Sequence, residues 1–195
     1  MATEGTSSFY DENAEIYAVR RRTVPTQRLD AFLSELSPGA PVLELGCGGG
    51  HDCAYMLSKG FDVMPTDGSV ELAKRAEKLL DRPVKVMRFE SLDEENEYSG
   101  VWAEASLLHM PRAVLPDVLK RINRALKYGG ILHASFKAGD AEGYDGFGRY
   151  YNYPSVAWLT ERLSEGGWRN VSIIERDGGG YDGKPTRWLY LAARK

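Results

Sequence analysis

A glycine-rich turn follows the first strongly apolar segment of the chain. Its pattern, E-x-G-x-G-x-G, comprises Glu44, Gly46, Gly48 and Gly50, with Cys47 inside it. Glycine permits positive φ and lets a ligand approach the main chain closely, and amides at a helix start favour a negative group. The dinucleotide fingerprint G-x-G-x-x-G fails in both registers, because His51 or Cys53 takes its last position. The turn therefore predicts a ligand site of another kind.

An acidic residue stands roughly twenty positions after the first glycine of this turn. Asp67 follows the apolar segment 61–66, and Gly68 and Ser69 come next. A carboxylate accepts two hydrogen bonds from a vicinal diol, so Asp67 is predicted to hold ribose hydroxyls, with Gly68 and Ser69 along the ribose and adenine edge. The alternative is that Asp67 shares a helix cap with Ser69.

The two cysteines, Cys47 and Cys53, lie close together around the turn, with His51 between them. Three ligands crowded on one turn of chain make a poor tetrahedral set, so we expect no metal site. A disulfide framework is equally unexpected from a pair in this position.

Short apolar runs alternate with helix-like stretches along the chain, which is typical of an α/β fold with a mostly parallel sheet. Helices are expected before residue 40 and over 51–59, 69–80, 111–127 and 154–165. Strands are expected over 41–45, 61–66, 84–89, 100–103, 131–136, 170–175 and 187–193. The short glycine-rich segment 177–183 joins the last two strands and predicts an antiparallel pair.

The sequence resembles the class I S-adenosylmethionine-dependent methyltransferases over almost its whole length, from Leu29 to Ala193. The resemblance rests on ELGCGGG at 44–50, DGSVEL at 67–72, KYGGIL at 127–132 and the terminal hairpin. It implies a doubly wound, mostly parallel seven-stranded sheet that ends in an antiparallel hairpin. It also implies one domain over 1–195, an N-terminal helical cap over 1–38, and S-adenosylmethionine as cofactor.

The resemblance also implies roles for residues outside the two motifs. The loop after the third strand closes over adenine, which involves Ser91 and Leu92, and the residues after the fourth strand, Ala103 and Glu104, lie beside the methionine portion. The leading helix folds across the cofactor, so that Tyr10, Tyr17 or Arg21 reaches its carboxylate, Arg21 with the better charge match. The N-P-P-Y or D-P-P-Y motif of branches that methylate DNA and protein amides is absent. Adenine-N6 or glutamine methylation is therefore disfavoured.

The acceptor side of the site is less determined by sequence. His109 is the candidate general base at the cleft edge, and the alternative is a packed residue before Pro111. Residues 137–153 form a long segment with four glycines, predicted as a substrate loop. Arg149, Tyr150 and Tyr151 within it would cover a planar or anionic small acceptor, unless the tyrosines pack the last helix onto the sheet.

Composition narrows the range of partners. The chain has 195 residues and a net charge of −3, which argues against nucleic-acid binding, and the single basic run at 20–22 suits a solvated helix face. No apolar run is long enough to cross a membrane and the N-terminus is polar, so a cytoplasmic monomer or homodimer is expected.

A small-molecule methyltransferase is the leading hypothesis. A non-catalytic adenosyl-binding module and an RNA methyltransferase are the alternatives.

Overall fold

A computed structural model describes residues 2–19 and 23–195, with the side chains of 2–4 left out. Its helices are α1 (Ala2–Glu12), α2 (Ala14–Val19), α3 (Thr26–Ser34), α4 (His51–Ser58), α5 (Val70–Leu80), α6 (Leu115–Ala125) and α7 (Val156–Glu165). Its strands are β1 (Pro41–Leu45), β2 (Asp62–Asp67), β3 (Lys85–Val86), β4 (Tyr98–Ala103), β5 (Leu126–Lys137), β6 (Ala141–Tyr144), β7 (Tyr150–Tyr153), β8 (Arg169–Gly179) and β9 (Pro185–Arg194).

Seven of the strands form one sheet in the order β3-β2-β1-β4-β5-β9-β8. The first five are parallel, and β9 runs antiparallel to both β5 and β8. The predicted fold class, a mostly parallel sheet with a terminal antiparallel hairpin, is confirmed. Because the parallel strands all end at one edge, the turns after β1, β2, β4 and β5 meet there.

The two faces of the sheet bury alternate residues of the same strands. On one face Val42, Trp102 and Ile131 pack against α3 and α4. On the other face their neighbours Val101 and Leu132 pack in a larger core with α6 and α7. This alternation follows from the two-residue period of a strand and gives the near-continuous apolar runs by which the central strands were recognised.

Three of the element boundaries that differ from the predictions have an identifiable local reason. β3 ends at Val86 rather than at residue 89, and a short 3-10 turn, Phe89–Ser91, follows it. α6 begins at Leu115 rather than at 111, since the amide of Val114 closes a turn onto the Pro111 carbonyl at 2.9 Å. β5 begins at Leu126, directly after α6, because residues 127–130 continue the strand through an irregular register.

The segment 137–153 is a β-hairpin rather than a long loop. β6 and β7 pair antiparallel as a separate two-stranded sheet. Asp145 closes the turn between them, because its side chain accepts the amides of Phe147 at 2.9 Å and Arg149 at 3.0 Å. Gly148 completes the turn with a φ of 77°. Most of the backbone of this segment is therefore fixed by pairing.

A glycine in β4 sets how closely α3 approaches the sheet. A Cβ at Gly100 would lie 2.6 Å from Cζ of Phe32 and 3.0 Å from Cδ1 of Leu36. Gly100→Ala should therefore destabilise the protein by about 1–3 kcal/mol, the usual cost of overpacking a core. Gly143→Ala is the matched control, because no atom lies within 4 Å of its Cβ position. Urea unfolding of both variants tests this, and equal losses of stability would contradict it.

Candidate active site

A cavity of about 420 Å³ opens at the carboxyl edge of the parallel strands. Its floor is the glycine turn after β1 and the end of β2, and it extends past β4 and β5 to the hairpin β8–β9. The predicted site residues that line it are Tyr10, Tyr17, Gly46, Cys47, Gly48, Asp67, Gly68, Ser69, Glu104, His109, Arg149 and Tyr151. The fold thus brings residues of both predicted motifs, and of the predicted acceptor side, into one space.

The glycine turn presents bare main chain to this cavity. Gly46 has a φ of 76°, and a Cβ there would lie 2.5 Å from Cβ of Ser106. The amides of Gly46 and Cys47 donate to the carbonyl of Thr66 at 2.9 and 2.8 Å, which ties the turn to β2. A side chain at position 46 would therefore collide with the opposite wall, and only glycine keeps this approach open.

Asp67 joins the turn to the start of α5. Its carboxylate accepts the amides of Gly48 and Ser69, each at 2.8 Å. Burial raises the pKa of Asp67 to about 6, against the lowering effect of these two hydrogen bonds. The side chain is 7% exposed and faces the cavity. A buried carboxylate with lone pairs still available is suited to accept further hydroxyl donors.

The leading helix is fastened beside this carboxylate. Asp11 of α1 accepts the hydroxyl of Ser69 at 2.6 Å and the amide of Glu71 at 3.2 Å. Ser69 also caps α5 by accepting the amide of Leu72 at 3.1 Å. The predicted alternative, a helix cap that Asp67 shares with Ser69, is therefore present beside the contact with the glycine turn, because one Asp67 oxygen accepts the Ser69 amide and the other the Gly48 amide. Sequence reasoning missed Asp11, although it is an acid within the predicted leading helix.

A hydrogen-bonded chain runs from α1 to the hairpin β6–β7. The hydroxyl of Tyr10 lies 2.9 Å from Nε2 of His109, and Nδ1 of His109 lies 2.6 Å from the carbonyl of Tyr150. A carbonyl only accepts, so Nδ1 carries the proton and Nε2 accepts the Tyr10 hydroxyl. Burial lowers the pKa of His109 to about 4. The imidazole is therefore neutral at physiological pH.

Two arginines line the cavity with carboxylate partners. Arg28 of α3 donates to both oxygens of Glu104 at 2.6 and 2.8 Å and lies 4.0 Å from the ring centre of Tyr190. Arg149 pairs with Asp145 at 2.6 Å and is 2% exposed. Sequence reasoning found Glu104 and Arg149 but missed Arg28, which sits on a helix with no chemical motif.

The guanidinium of Arg149 lies inside a ring of aromatic side chains from four parts of the chain. Their ring centres are 4.5 to 5.4 Å from its Cζ: Phe9, Phe147, Tyr151 and Tyr181. Tyr17 stacks on Tyr181 at 6.0 Å. We call Phe9, Tyr17, Phe147 and Tyr181 the aromatic roof. Its cation–π contacts hold α1, the β6–β7 turn and the β8–β9 turn together over the cavity.

Several predicted site residues do not line the cavity: Glu44, Gly50, Ser91, Leu92, Ala103 and Tyr150. Leu92 and Ala103 are fully buried in the core beneath it. The early end of β3 explains Ser91 and Leu92, because residues 87–90 take the place predicted for them. Tyr150 turns its hydroxyl onto Glu142.

Glu44 is buried within β1, and Gly50 packs under Ala76 and Leu80. Arg21 lies outside the described residues. The proposed contact of its guanidinium with a cofactor carboxylate therefore stays a prediction.

Other residues of the cavity wall had no distinctive sequence signal. They include Thr6, Ser7, Trp188 and Tyr190. The hydroxyl of Ser106 is buried and finds no hydrogen-bond partner within residues 2–19 and 23–195. A buried hydroxyl without a partner at a cavity wall is suited to a ligand that brings one.

The described residues contain neither a group of three or more metal-ligating side chains nor a helix long and apolar enough to cross a membrane. Cys47 and Cys53 are free thiols. Burial raises the pKa of both thiols well above the ordinary range, so neither is a ready nucleophile.

Comparison with known proteins agrees with this geometry. A family model described as a methyltransferase domain matches residues 17–173, and the chain belongs to that family. The predicted family, that of the methyltransferases, is thereby confirmed.

Two curated relatives match about half of the chain. An uncharacterized methyltransferase of Synechocystis sp. is 34% identical over 98 residues, 49% of this chain and 46% of that protein. A protein-L-isoaspartate O-methyltransferase of Chlorobium phaeobacteroides is 31% identical over 93 residues, 45% of this chain and 43% of that protein. The chain thus covers less than half the length of either relative.

Solved structures match the fold over almost the whole chain. A 1,6-didemethyltoxoflavin-N1-methyltransferase of Burkholderia thailandensis, bound to its substrate and S-adenosylhomocysteine, has a TM-score of 0.75 at 21% identity, covering 100% of this chain and 86% of that one. A putative methyltransferase of Haloferax volcanii, in complex with the activator Trm112, has a TM-score of 0.76 at 17% identity, covering 98% and 97%. At identities this low, the similarity to these structures supports the fold alone.

The buried, hydrogen-bonded position of His109 predicts which of its ring nitrogens carries the proton and at which pH the ring titrates. NMR of the imidazole should show the Nδ1–H tautomer and a titration midpoint near 4. Because this value lies below the ordinary 6.5, the unfolded chain binds the proton more tightly. The His109 contribution should thus lower the free energy of unfolding as the pH falls from about 6.5 towards 4. A midpoint near 6.5 in the folded protein would contradict the buried arrangement, and the exposed imidazole of a denatured sample serves as the reference.

Proposed function

We propose that the protein transfers a methyl group from S-adenosylmethionine to a small-molecule acceptor. One observation carries the proposal: a turn in which position 46 has no room for a side chain is hydrogen-bonded to the buried carboxylate of Asp67 at one end of the cavity. The other end of the same cavity is lined by aromatic side chains, and we call these two ends the first and second compartments. The first compartment suits an adenosyl group and the second an acceptor. The volume of about 420 Å³ lies within the usual range for small-molecule sites.

The residues on the cavity wall fit each part of the cofactor. Asp67 would accept the ribose hydroxyls, and the bare turn at 46–48 would lie along the adenosyl group. Residues 87–90, next to the end of β3, would border adenine, the role that sequence assigned to Ser91 and Leu92. The bound sulfonium supplies an activated methyl group, so the protein has chiefly to align the acceptor with it.

The ion pair of Arg28 and Glu104 suits the amino-acid end of the cofactor. That end carries an ammonium and a carboxylate, and the pair presents one charge of each sign on the cavity wall. Ala103, which sequence placed here, lies below the wall in the core. Tyr10 and Tyr17 are on the opposite side, where they would cover the cofactor from α1 and α2.

His109 serves as a positioning residue for Tyr10 in this proposal. Its low pKa disfavours the imidazolium, so a full transfer of the acceptor's proton to His109 is unfavourable. Its Nε2 instead holds the Tyr10 hydroxyl in one orientation at the cavity wall, where the Arg149 guanidinium also acts on the Tyr10 oxygen. A second lone pair of this oxygen would accept an N–H or O–H of the acceptor and so orient its nucleophilic atom.

A small acceptor is favoured over a macromolecule by the closure of the site. The aromatic roof joins α1 to both hairpin turns, and α1 is held to the start of α5 through Asp11. The net charge of −3 also disfavours a phosphate backbone. An isoaspartyl peptide, the acceptor named for one relative, and an RNA are the alternatives that the turnover experiment below separates.

Cofactor binding should depend on the charge of Asp67. With a pKa of about 6, the carboxylate is ionised at neutral pH and protonated below 6. The affinity for S-adenosylhomocysteine should therefore fall as the pH drops through about 6. Asp67→Asn should weaken binding at neutral pH by about 1–3 kcal/mol and flatten this pH dependence. Calorimetry measures both.

Glu71→Gln is a control for this experiment, since the side chain of Glu71 is exposed on the same helix start and pairs with Lys74 on the surface. If Asp67→Asn bound the cofactor product as the wild type does, Asp67 would have no role in holding the ribose. If no adenosyl ligand bound at all, the proposed function would be wrong.

Turnover tests the acceptor side. Purified protein with S-adenosylmethionine should release S-adenosylhomocysteine in the presence of some members of a panel of small phenols, amines and acids. Tyr10→Phe removes the oriented oxygen and should lower kcat more than it raises the KM of the cofactor. Release with isoaspartyl peptides or RNA alone would instead assign a macromolecular acceptor, and binding without any release would favour the non-catalytic module.

A further inference from the structure

Lys137 is the last residue of β5, at the carboxyl edge of the sheet where the cavity opens. Its ammonium nitrogen lies 4.2 Å from the ring centre of Tyr151. In the β5–β9 register Lys137 is opposite Trp188, which also lines the cavity. The side chain is half-buried, so its charge has lost part of its hydration and favours a compensating anion.

The described residues supply that anion to Arg28 and Arg149, two other cations of the cavity wall, but not to Lys137. Arg28 pairs with Glu104, and Arg149 pairs with Asp145. The carboxylates that act on Lys137 from nearby elements are Asp145 and Asp182, and Asp182 is 3.7 Å from Lys184. Neither comes within 4.0 Å of the Lys137 ammonium in the described part of the chain.

The surroundings of Lys137 also restrict the shape of a partner. Tyr151 packs against its ammonium, Trp188 stands opposite Lys137 in the register, and Tyr190 is two residues further along β9 on the same face as Trp188. Aromatic walls favour a planar ligand, because stacking and edge contacts bury a flat ring efficiently. Burial and the charge of Arg149 lower the pKa of Lys137, as expected for a cation without an anionic partner among the described residues.

We infer that Lys137 binds an anionic group of a planar methyl acceptor, so that the substrates are aromatic or heteroaromatic acids. This inference rests on the proposed function, because it places the acid in the second compartment of the same cavity. The sequence had assigned an anionic acceptor to Arg149, whereas this inference assigns the anionic group to Lys137. Arg149 already has Asp145 and the aromatic roof around it.

Benzoate and benzamide are a matched pair of probes, equal in shape and different in charge. Added to the protein saturated with S-adenosylhomocysteine, benzoate should bind at least about tenfold more tightly than benzamide, a difference typical of one charge-assisted contact. Lys137→Met should abolish this preference while leaving the affinity for S-adenosylhomocysteine unchanged. Lys137→Arg should retain part of it. Phenyl phosphate in place of benzoate shows whether a carboxylate or a phosphate is preferred.

Lys127→Met is the matched control, because Lys127 lies exposed at the opposite end of the same strand. The inference is overturned if benzoate does not bind, if benzamide binds equally well, or if Lys127→Met removes the preference as fully as Lys137→Met. Failure of S-adenosylhomocysteine to bind would defeat the proposed function instead. The two probes would then be compared on the ligand-free protein, where the same outcomes decide the role of Lys137.

Discussion

The contact between the Asp67 carboxylate and the amide of Gly48 joins the two halves of the site. It fixes the end of β2 to the turn after β1 at 2.8 Å, while the amides of Gly46 and Cys47 hold the same turn to Thr66. The positive φ angles of the glycines make this fold of the turn possible. A larger residue in place of Gly46 would press its side chain against Ser106, and the main chain could then not approach a ligand.

Electrostatic balance is the second principle of the cavity. Two of its arginines are neutralised by carboxylates within the protein, and His109 is kept neutral by burial. A site so balanced leaves few charges to select a ligand, and those few decide specificity. Asp67 at one end and Lys137 at the other are the clearest of these. They are of opposite sign, so under the proposed function the ribose end and the acceptor end of the cavity would differ in the charge of the group they bind.

The elements of the sheet could be predicted because their signals are local. The apolar runs of β1, β2 and β5 and the glycine turn follow from strand burial and turn chemistry, and Asp67 follows from its spacing. The hairpin β6–β7 was missed because its glycines suggested a loop, whereas the decisive feature is the Asp145 side chain bonding its own turn. Ser91 and Leu92 were assigned to the wall because β3 was expected to run three residues further. Arg28, Asp11 and Lys137 reach the site only through the tertiary fold, so no local pattern marks them.

The aromatic roof draws together segments that are far apart in the chain: Phe9 and Tyr17 from the N-terminal helices, Phe147 from one hairpin turn and Tyr181 from another. Such a cover can close only after the sheet beneath it has formed, and its contacts are few compared with those of the core. Thermal opening should therefore begin there, well before global unfolding. The rate at which products escape would then be governed by how often these rings separate, rather than by the strength of any one contact in the floor. Substitutions in the roof would therefore change the rate of product release and the degree of product inhibition more than they change the melting temperature.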